Sequence, residues 1–227
     1  MITLRLRGLA AGRGGRLVVP PLDLVLGPGS ALLVTGANGA GKSTLLRTLA
    51  GLLPPLAGEV SVEGAVAADG EPARRVAEVA HYLGHRNSLK AGRSVAEELG
   101  FWRRFLGDTG LGVREALAAV DLGAAGDLPA GVLSAGQGRR AAMARLLVSE
   151  RPVWILDEPT AALDERAQAR FAALCRERQC TGGIVIAATH QPLALEAPQE
   201  LRLEALRPAG VGEAAAAAPG GGWDELW

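Results

Sequence analysis

The sequence predicts an α/β fold in which a parallel sheet is flanked by helices and interrupted by a helical insertion. Three observations lead there. Short apolar runs at Ala31–Thr35, Val153–Leu156 and Ile184–Ala188 have the length and continuity of buried strands. Helical periodicity separates them, after Lys42 and again from Asp164 to about Cys180. Strands and helices alternating at this spacing build a parallel sheet covered by helices. The stretch from about Ser88 to Ser149 carries helical patterns and no convincing strand, and reads as the insertion.

Taken in order, Ile2–Arg7 and Leu22–Leu26 alternate apolar and polar residues as half-buried strands do, with Gly12, Gly14 and Gly15 marking turns between them. Ala31–Thr35 is a buried strand that stops at glycine. From Lys42 the pattern becomes helical: Leu45, Leu46, Leu49 and Leu52 or Leu53 share one face, and Gly51 with Pro54 closes the helix. Glu59–Glu63 alternates again. After about Pro208 come a five-alanine block, a Gly220–Gly222 run and two tryptophans, Trp223 and Trp227. Composition reads this tail as a flexible extension, with docking of the tryptophans on a groove or a neighbour left open.

A chain of 227 residues with 48% hydrophobic content supports one α/β domain with a small inserted subdomain. Lys+Arg and Asp+Glu are both 24, a balance that argues against an electrostatic nucleic-acid binder. No apolar run approaches the roughly 18–20 residues that span a bilayer. Residues 2–7 lack the apolar core of a signal peptide, so the expected location is cytoplasmic, with membrane association through a partner. Cys175 and Cys180 are too few for a structural zinc site and read as bystanders.

Gly36-Ala37-Asn38-Gly39-Ala40-Gly41-Lys42-Ser43-Thr44 matches the phosphate-binding loop in full, between a strand and a helix. A triphosphate needs converging N–H donors and a cation. Glycines let the backbone amides point inward, and the helix that follows adds its positive end. Lys42 reaches the terminal phosphates, and Ser43 holds Mg²⁺ through its hydroxyl. The apolar run Val153–Leu156 then leads straight into Asp157-Glu158-Pro159. A strand ending in acids delivers them to the carboxyl edge of the sheet, where ligands gather. Asp157 fits the metal and Glu158 fits the attacking water as general base.

These two motifs specify only a nucleotide triphosphatase of the phosphate-loop kind. Leu133-Ser134-Ala135-Gly136-Gln137 discriminates further: it closely resembles the LSGGQ signature of ABC ATPases, with alanine for the first glycine. Ser134 opens a helix, so its hydroxyl and the helix N-terminus can face a γ-phosphate. Ala162-Leu163-Asp164 looks like the family's D-loop, and His190, at the end of a strand, looks like its switch histidine. The resemblance covers about residues 1–206 and leaves 207–227 as the tail; it implies an ABC ATPase core with a small N-terminal antiparallel β region and the helical subdomain at about 88–149. It also implies a dimer in which Ser134, Gly136 and Gln137 of each copy contact ATP bound to the other.

Two positions depart from the family pattern. His85, in Tyr82-Leu83-Gly84-His85, stands where the family has a glutamine that touches Mg²⁺ and senses the membrane partner. Residues 8–18 contain no aromatic to stack on adenine, and Arg13 or Arg16 could stack instead by its guanidinium plane. The segment His81–Lys90, followed by Ser94–Leu99 and Phe101-Trp102, resembles the CcmA family, ATPase subunits of the bacterial cytochrome c maturation system that exports haem. That likeness implies membrane subunits of the CcmB and CcmC type and a place on the cytoplasmic face of the inner membrane. Haem is not expected on this chain itself: His81 and His85 are four apart, but Gly84 and a loop context argue against a ligand pair. Phe101, Trp102 and Phe105 hold three of the chain's eight aromatics. They either line the groove that receives a membrane-subunit helix or form the insert's own core. The rival readings are an ABC exporter ATPase for another substrate, a soluble ABC-type protein acting on ribosomes or DNA, and a phosphate-loop kinase.

Overall fold

Two sheets organise residues 1–205, the part of the chain that the computed structural model describes. The expected tail, with Trp223 and Trp227, lies outside these residues. The chain begins as a long antiparallel hairpin, β1 (Thr3–Arg13) and β2 (Arg16–Leu26), turned at Gly14 and Gly15. Both strands run further than their alternation predicts. Gly12, expected in the turn, sits inside β1 opposite Leu17. A Cβ at Gly12 would lie 2.2 Å from the Arg16 carbonyl oxygen and 2.3 Å from Leu56 Cδ1, so glycine there permits a close approach.

β3 (Ala31–Gly36) leads into α1 (Lys42–Leu49), whose Leu45, Leu46 and Leu49 are buried. The helix stops short of Leu52 and Leu53. Gly51 takes φ 72, donates to the Thr48 carbonyl, and lets Leu52 N–H reach the Arg47 carbonyl. This glycine-closed end caps the last carbonyls and leaves Leu52 57% exposed. β4 (Ala57–Glu63) pairs with β1 to complete a three-stranded antiparallel sheet.

A short helix, α2 (Val76–Val79), precedes β5 (Ala80–Leu83), a strand that the sequence pattern did not reveal. The described residues between 88 and 149 contain α3 (Val95–Leu106), α4 (Val113–Ala119), α5 (Ala135–Leu147) and two single 3₁₀ turns, with no strand. β6 (Val153–Asp157), α6 (Glu165–Cys180), β7 (Ile184–Ala188) and β8 (Gln199–Leu203) follow. Ser94, Ser134 and Asp164 cap α3, α5 and α6, each side chain accepting a backbone N–H three residues on. Such caps contribute about 1 kcal/mol each.

The second sheet has the order β5-β6-β7-β3-β8, and every adjacent pair is parallel. Its two faces are both buried. Val153 and Ile155 of β6 join the hairpin and α1, whereas Trp154 and Leu156 point into the layer formed by α3 to α6. β7 divides the same way, Ile184 and Ile186 against Val185 and Ala187. This explains why both strands read as unbroken apolar runs. Trp154 and Phe171 are the largest fully buried side chains of the helical side. Truncating either would cost about 3–5 kcal/mol.

No described helix is long and apolar enough to cross a membrane. Cys175 is buried, which pushes its thiol pKa up, and Cys180 is exposed; both are free thiols.

Candidate functional site

Register fixes where the functional residues meet. Val34 of β3 lies level with Ala188 of β7, and Ala188 with Asp157 of β6. Leu83 of β5 is level with Leu156. The loop Gly36–Thr44, the pair Asp157-Glu158, His190 and His85 therefore all emerge at one carboxyl edge.

The loop closes on α1 through Gly41, the N-cap, at φ 101. A Cβ there would lie 2.7 Å from Val18 Cγ1 and 2.9 Å from Val19 Cγ2 of β2, so the position requires glycine twice over. Lys42 is buried and folds back over the loop, donating to the carbonyls of Gly36 (2.7 Å) and Ala37 (3.1 Å). Its Nζ is also 3.1 Å from His190 Nε2. Ser43 donates its hydroxyl to Asp157 Oδ1 at 2.9 Å, and Tyr82 donates to Oδ2 at 3.3 Å. Arg47 Nε in turn donates to the Tyr82 oxygen at 3.4 Å. Burial pushes the Tyr82 phenol pKa up, and the neighbouring Asp157 charge adds to it against the Arg47 hydrogen bond.

Glu158 adopts φ 48, a left-handed conformation for a residue with a side chain. Such strain costs of order 1–3 kcal/mol and persists only where the surroundings enforce it. Here Glu158 N–H donates to the Ala188 carbonyl at 2.8 Å. The Glu158 carboxylate lies 3.5 Å from His190 Nε2 through Oε1, and its Oε2 accepts the His190 N–H at 3.4 Å.

A cavity of about 690 Å³ opens over these groups, lined by Asn38, Lys42, Ser43, Asp157, Glu158 and His190 among others. Exposed His85 lines it too, as does Arg13; Arg16 does not. A neighbouring cavity of about 740 Å³ runs from Arg47, Tyr82 and His85 to Arg145 and Trp102. There the aromatic cluster divides its roles. Trp102 packs on the helical core and lies 4.8 Å from the Arg145 guanidinium while also facing the cavity. Phe105, with its ring centroid 5.8 Å from Phe101 and 5.9 Å from Trp102, is 68% exposed.

Ser134, Gly136 and Gln137 line neither cavity. Ser134 Oγ accepts the Gln137 N–H at 3.2 Å, and Gln137 Oε1 accepts the Ser134 N–H at 2.9 Å. This reciprocal pair caps α5. Asp164 accepts the Ala167 N–H at 2.8 Å and caps α6. His81 and His85 occupy different worlds. His81 is 3% exposed and donates Nε2–H to the Ser149 carbonyl at 2.7 Å, with burial holding its pKa down to about 3.

Sequence reasoning missed Tyr82 as a partner of Asp157, and missed Arg139 altogether. Arg139 is 2% exposed on α5, and all its hydrogen bonds go to oxygens around the site. A lone aromatic in a short strand and an arginine in a helix carry no signal until the topology is known.

Comparison with known proteins agrees with this architecture. Residues 19–161 match the family described as ABC transporter. The chain is 51% identical over 199 residues to the cytochrome c biogenesis ATP-binding export protein CcmA of Rhodopseudomonas palustris (strain HaA2), covering 88% of this chain and 96% of that protein. It is 52% identical over 205 residues to the CcmA protein of Agrobacterium fabrum, covering 88% and 94%. Among solved structures, a putative ABC transporter ATP-binding protein from Pyrococcus furiosus superposes with a TM-score of 0.73 at 24% identity, covering 88% of this chain and 97% of that one. A dimeric ATP-binding cassette in a post-hydrolysis state, bound to ADP and Pi, also gives 0.73 at 21% identity, covering 90% and 97%.

Proposed function

We propose a function from one premise: the chain belongs to the ABC transporter family and, within it, to the cytochrome c biogenesis ATP-binding export proteins CcmA, and is an ATPase. It powers cytochrome c maturation by coupling MgATP hydrolysis to membrane subunits of the CcmB and CcmC type, for haem export or for release of a haem-loaded chaperone. The observation that carries the chemistry is the meeting of Lys42, His190 and Glu158 within 3.5 Å at the sheet edge, beside the Ser43–Asp157 pair.

The amides of Gly36 to Thr44 bind the phosphates, with Ala37, Asn38, Gly39, Ala40 and Gly41 shaping the loop. Lys42 exchanges its loop carbonyls for β- and γ-phosphate oxygens, and Arg13 meets the base. Ser43 and Asp157 supply hard oxygen donors of the kind Mg²⁺ takes beside phosphate oxygens and water. Bound there, the ion would neutralise charge building on the phosphates. Glu158 accepts the proton of the attacking water, and His190 donates toward the γ-phosphate. His85 takes the sensing position next to both cavities.

Ser134, Gly136 and Gln137 complete the site of a second copy, so two chains close around two nucleotides. Residues 88–149 act as the inserted helical subdomain, and 207–227 as a tail outside the working domain of 1–206. The cavity between Tyr82 and Trp102 receives the membrane subunit, which keeps the chain on the cytoplasmic face of the inner membrane. Nucleic acid has no part in this cycle, and haem does not bind this chain directly.

The test is covalent haem in c-type cytochromes from host cells carrying only a Lys42→Ala allele. Loss of these cytochromes, with the variant still present in membranes, is expected. Normal levels, with no second copy to compensate, would remove the cytochrome assignment and leave the ATPase.

A further inference from the structure

We propose that Arg139 is a positioning residue that locks Glu158 and the His85 segment together and ties both to the signature helix α5. This rests on the ATPase reading above and deepens it. The geometry is unusual for an arginine. Nε donates to the Pro159 carbonyl at 2.9 Å. Nη1 donates to the Gly84 carbonyl at 2.7 Å and to Asn87 Oδ1 at 3.2 Å. Nη2 donates to the carbonyls of Asp157 at 3.0 Å and Glu158 at 2.6 Å. All the N–H donors of a guanidinium are thereby used, each on an uncharged oxygen.

Among the described residues no carboxylate oxygen accepts from it, and that matters. A buried cation without a contacting counter-ion is costly, and burial holds the Arg139 pKa down to about 10 although the nearby Asp157 and Glu158 charges act the other way. A fold that needed only a filled space at this point would place an apolar side chain there, at lower cost. The guanidinium is retained where three segments must keep one geometry. Its carbonyl partners at 157, 158 and 159 belong to the segment carrying both acids. Those at 84 and 87 bracket His85. The side chain itself springs from α5, less than two turns after its cap at Ser134.

Two consequences follow. Glu158 holds φ 48, and Arg139 fixes its carbonyl while the Ala188 carbonyl holds its N–H, so both backbone groups of the strained residue are tied. A rigid helix also moves as a unit. When Ser134 engages nucleotide on the second copy, any shift of α5 passes through Arg139 to Glu158 and to the loop bearing His85. Lysine could not substitute, because an ammonium has three donors and no planar fork.

The experiment uses full-length chain assembled with its membrane subunits, and measures ATPase kcat, fluorescent-nucleotide affinity and melting temperature. For Arg139→Gln, kcat should fall about 100-fold, as for a displacement of order 1 Å at a reacting group. Nucleotide affinity should stay within about threefold. Arg139→Lys should lose about tenfold, and Asn87→Ala, which frees one donor, roughly threefold, with the same unchanged affinity. His85→Ala should lower kcat in the parent but cost little further in the Arg139→Gln background, since the two act through one linkage. Additive effects, or a wild-type kcat in folded Arg139→Gln, would overturn the proposal. Should that variant fail to fold, wild-type kcat in both Arg139→Lys and Asn87→Ala would overturn it equally. An unsubstituted complex that hydrolyses no ATP would instead overturn the ATPase reading, and this one with it.

Discussion

At the carboxyl edge of the parallel sheet, groups from β3, β6 and β7 turn toward one another; at the start of α5, Ser134 and Gln137 turn only to themselves. The first region is assembled by strand register and holds its charges close, with Lys42 bridging the loop carbonyls and His190. It also carries the strained Glu158 backbone. The second region is relaxed: a capping box satisfies the Ser134 and Gln137 N–H donors and no cavity described above includes it. One end is built for a ligand by this chain alone. The other offers a helix N-terminus, which under the proposed function meets nucleotide carried by a second copy. That asymmetry is what the proposed composite ATP site requires.

The sharpest way to break the comparison is at Glu158. A Glu158→Gln substitution keeps size and hydrogen-bonding reach but cannot accept the proton from water. Hydrolysis should fall by about 10²–10⁴-fold, while nucleotide binding persists. With ATP bound and uncleaved, the two copies should accumulate as a stable dimer, read by light scattering against the nucleotide-free chain. A Glu158→Gln chain that stays monomeric with saturating ATP would mean that the two regions never meet.

Ser134 offers the next test, because its cap and its proposed phosphate contact can be separated. Ser134→Ala removes both, and should lower stability by about 1 kcal/mol. Ser134→Asp keeps a capping oxygen and suits the helix dipole, so it should melt near the parent. It also sets a carboxylate where the proposed phosphate contact would be made. Hydrolysis should therefore drop more than tenfold in both, and further in the aspartate variant despite its better fold. An active Ser134→Asp protein would reduce this region to a helix cap.

How far the sequence itself carried these regions depends on the range of the interaction. The phosphate loop, Asp157 and Glu158 were legible because each is a local pattern attached to an apolar strand. Ser134 as an N-cap was legible for the same reason. β5 was not, since Ala80–Leu83 is only four residues long and follows directly on α2. β8 was hidden differently: at the sheet edge Gln199, Glu200 and Arg202 are exposed, and the run looks like a polar loop. Gly12 read as a turn because sequence cannot distinguish a glycine needed for φ from one needed for space. Arg139 was beyond reach, as its partners lie between 18 and 55 positions away. Local chemistry survives in one dimension, whereas linkages made by topology do not.

The smallest expected effect concerns the far end of α5, which sharpens the comparison by asking what anchors that helix to the sheet. His81 on β5 binds the Ser149 carbonyl just beyond α5, in surroundings that also hold Arg145, Arg151 and Arg178. Burial is the main cause of its lowered pKa, and the three arginines act in the same direction against the hydrogen bond. In the unfolded chain His81 takes up a proton near 6.5, but in the folded chain only near 3. Above about pH 6.5 both states are neutral and the contribution is complete. As pH falls from there toward 3, the unfolded chain gains a proton that the folded one refuses, so stability is lost. At pH 5 the loss is about 2 kcal/mol, from the ordinary linkage between pKa and folding. His81→Gln can still donate to the Ser149 carbonyl but does not titrate. Denaturant unfolding at pH 7 and pH 5 should therefore show the parent losing about 2 kcal/mol more than the variant across that interval. Equal losses would mean that His81 reaches water in the folded chain and that its burial does not resist protonation.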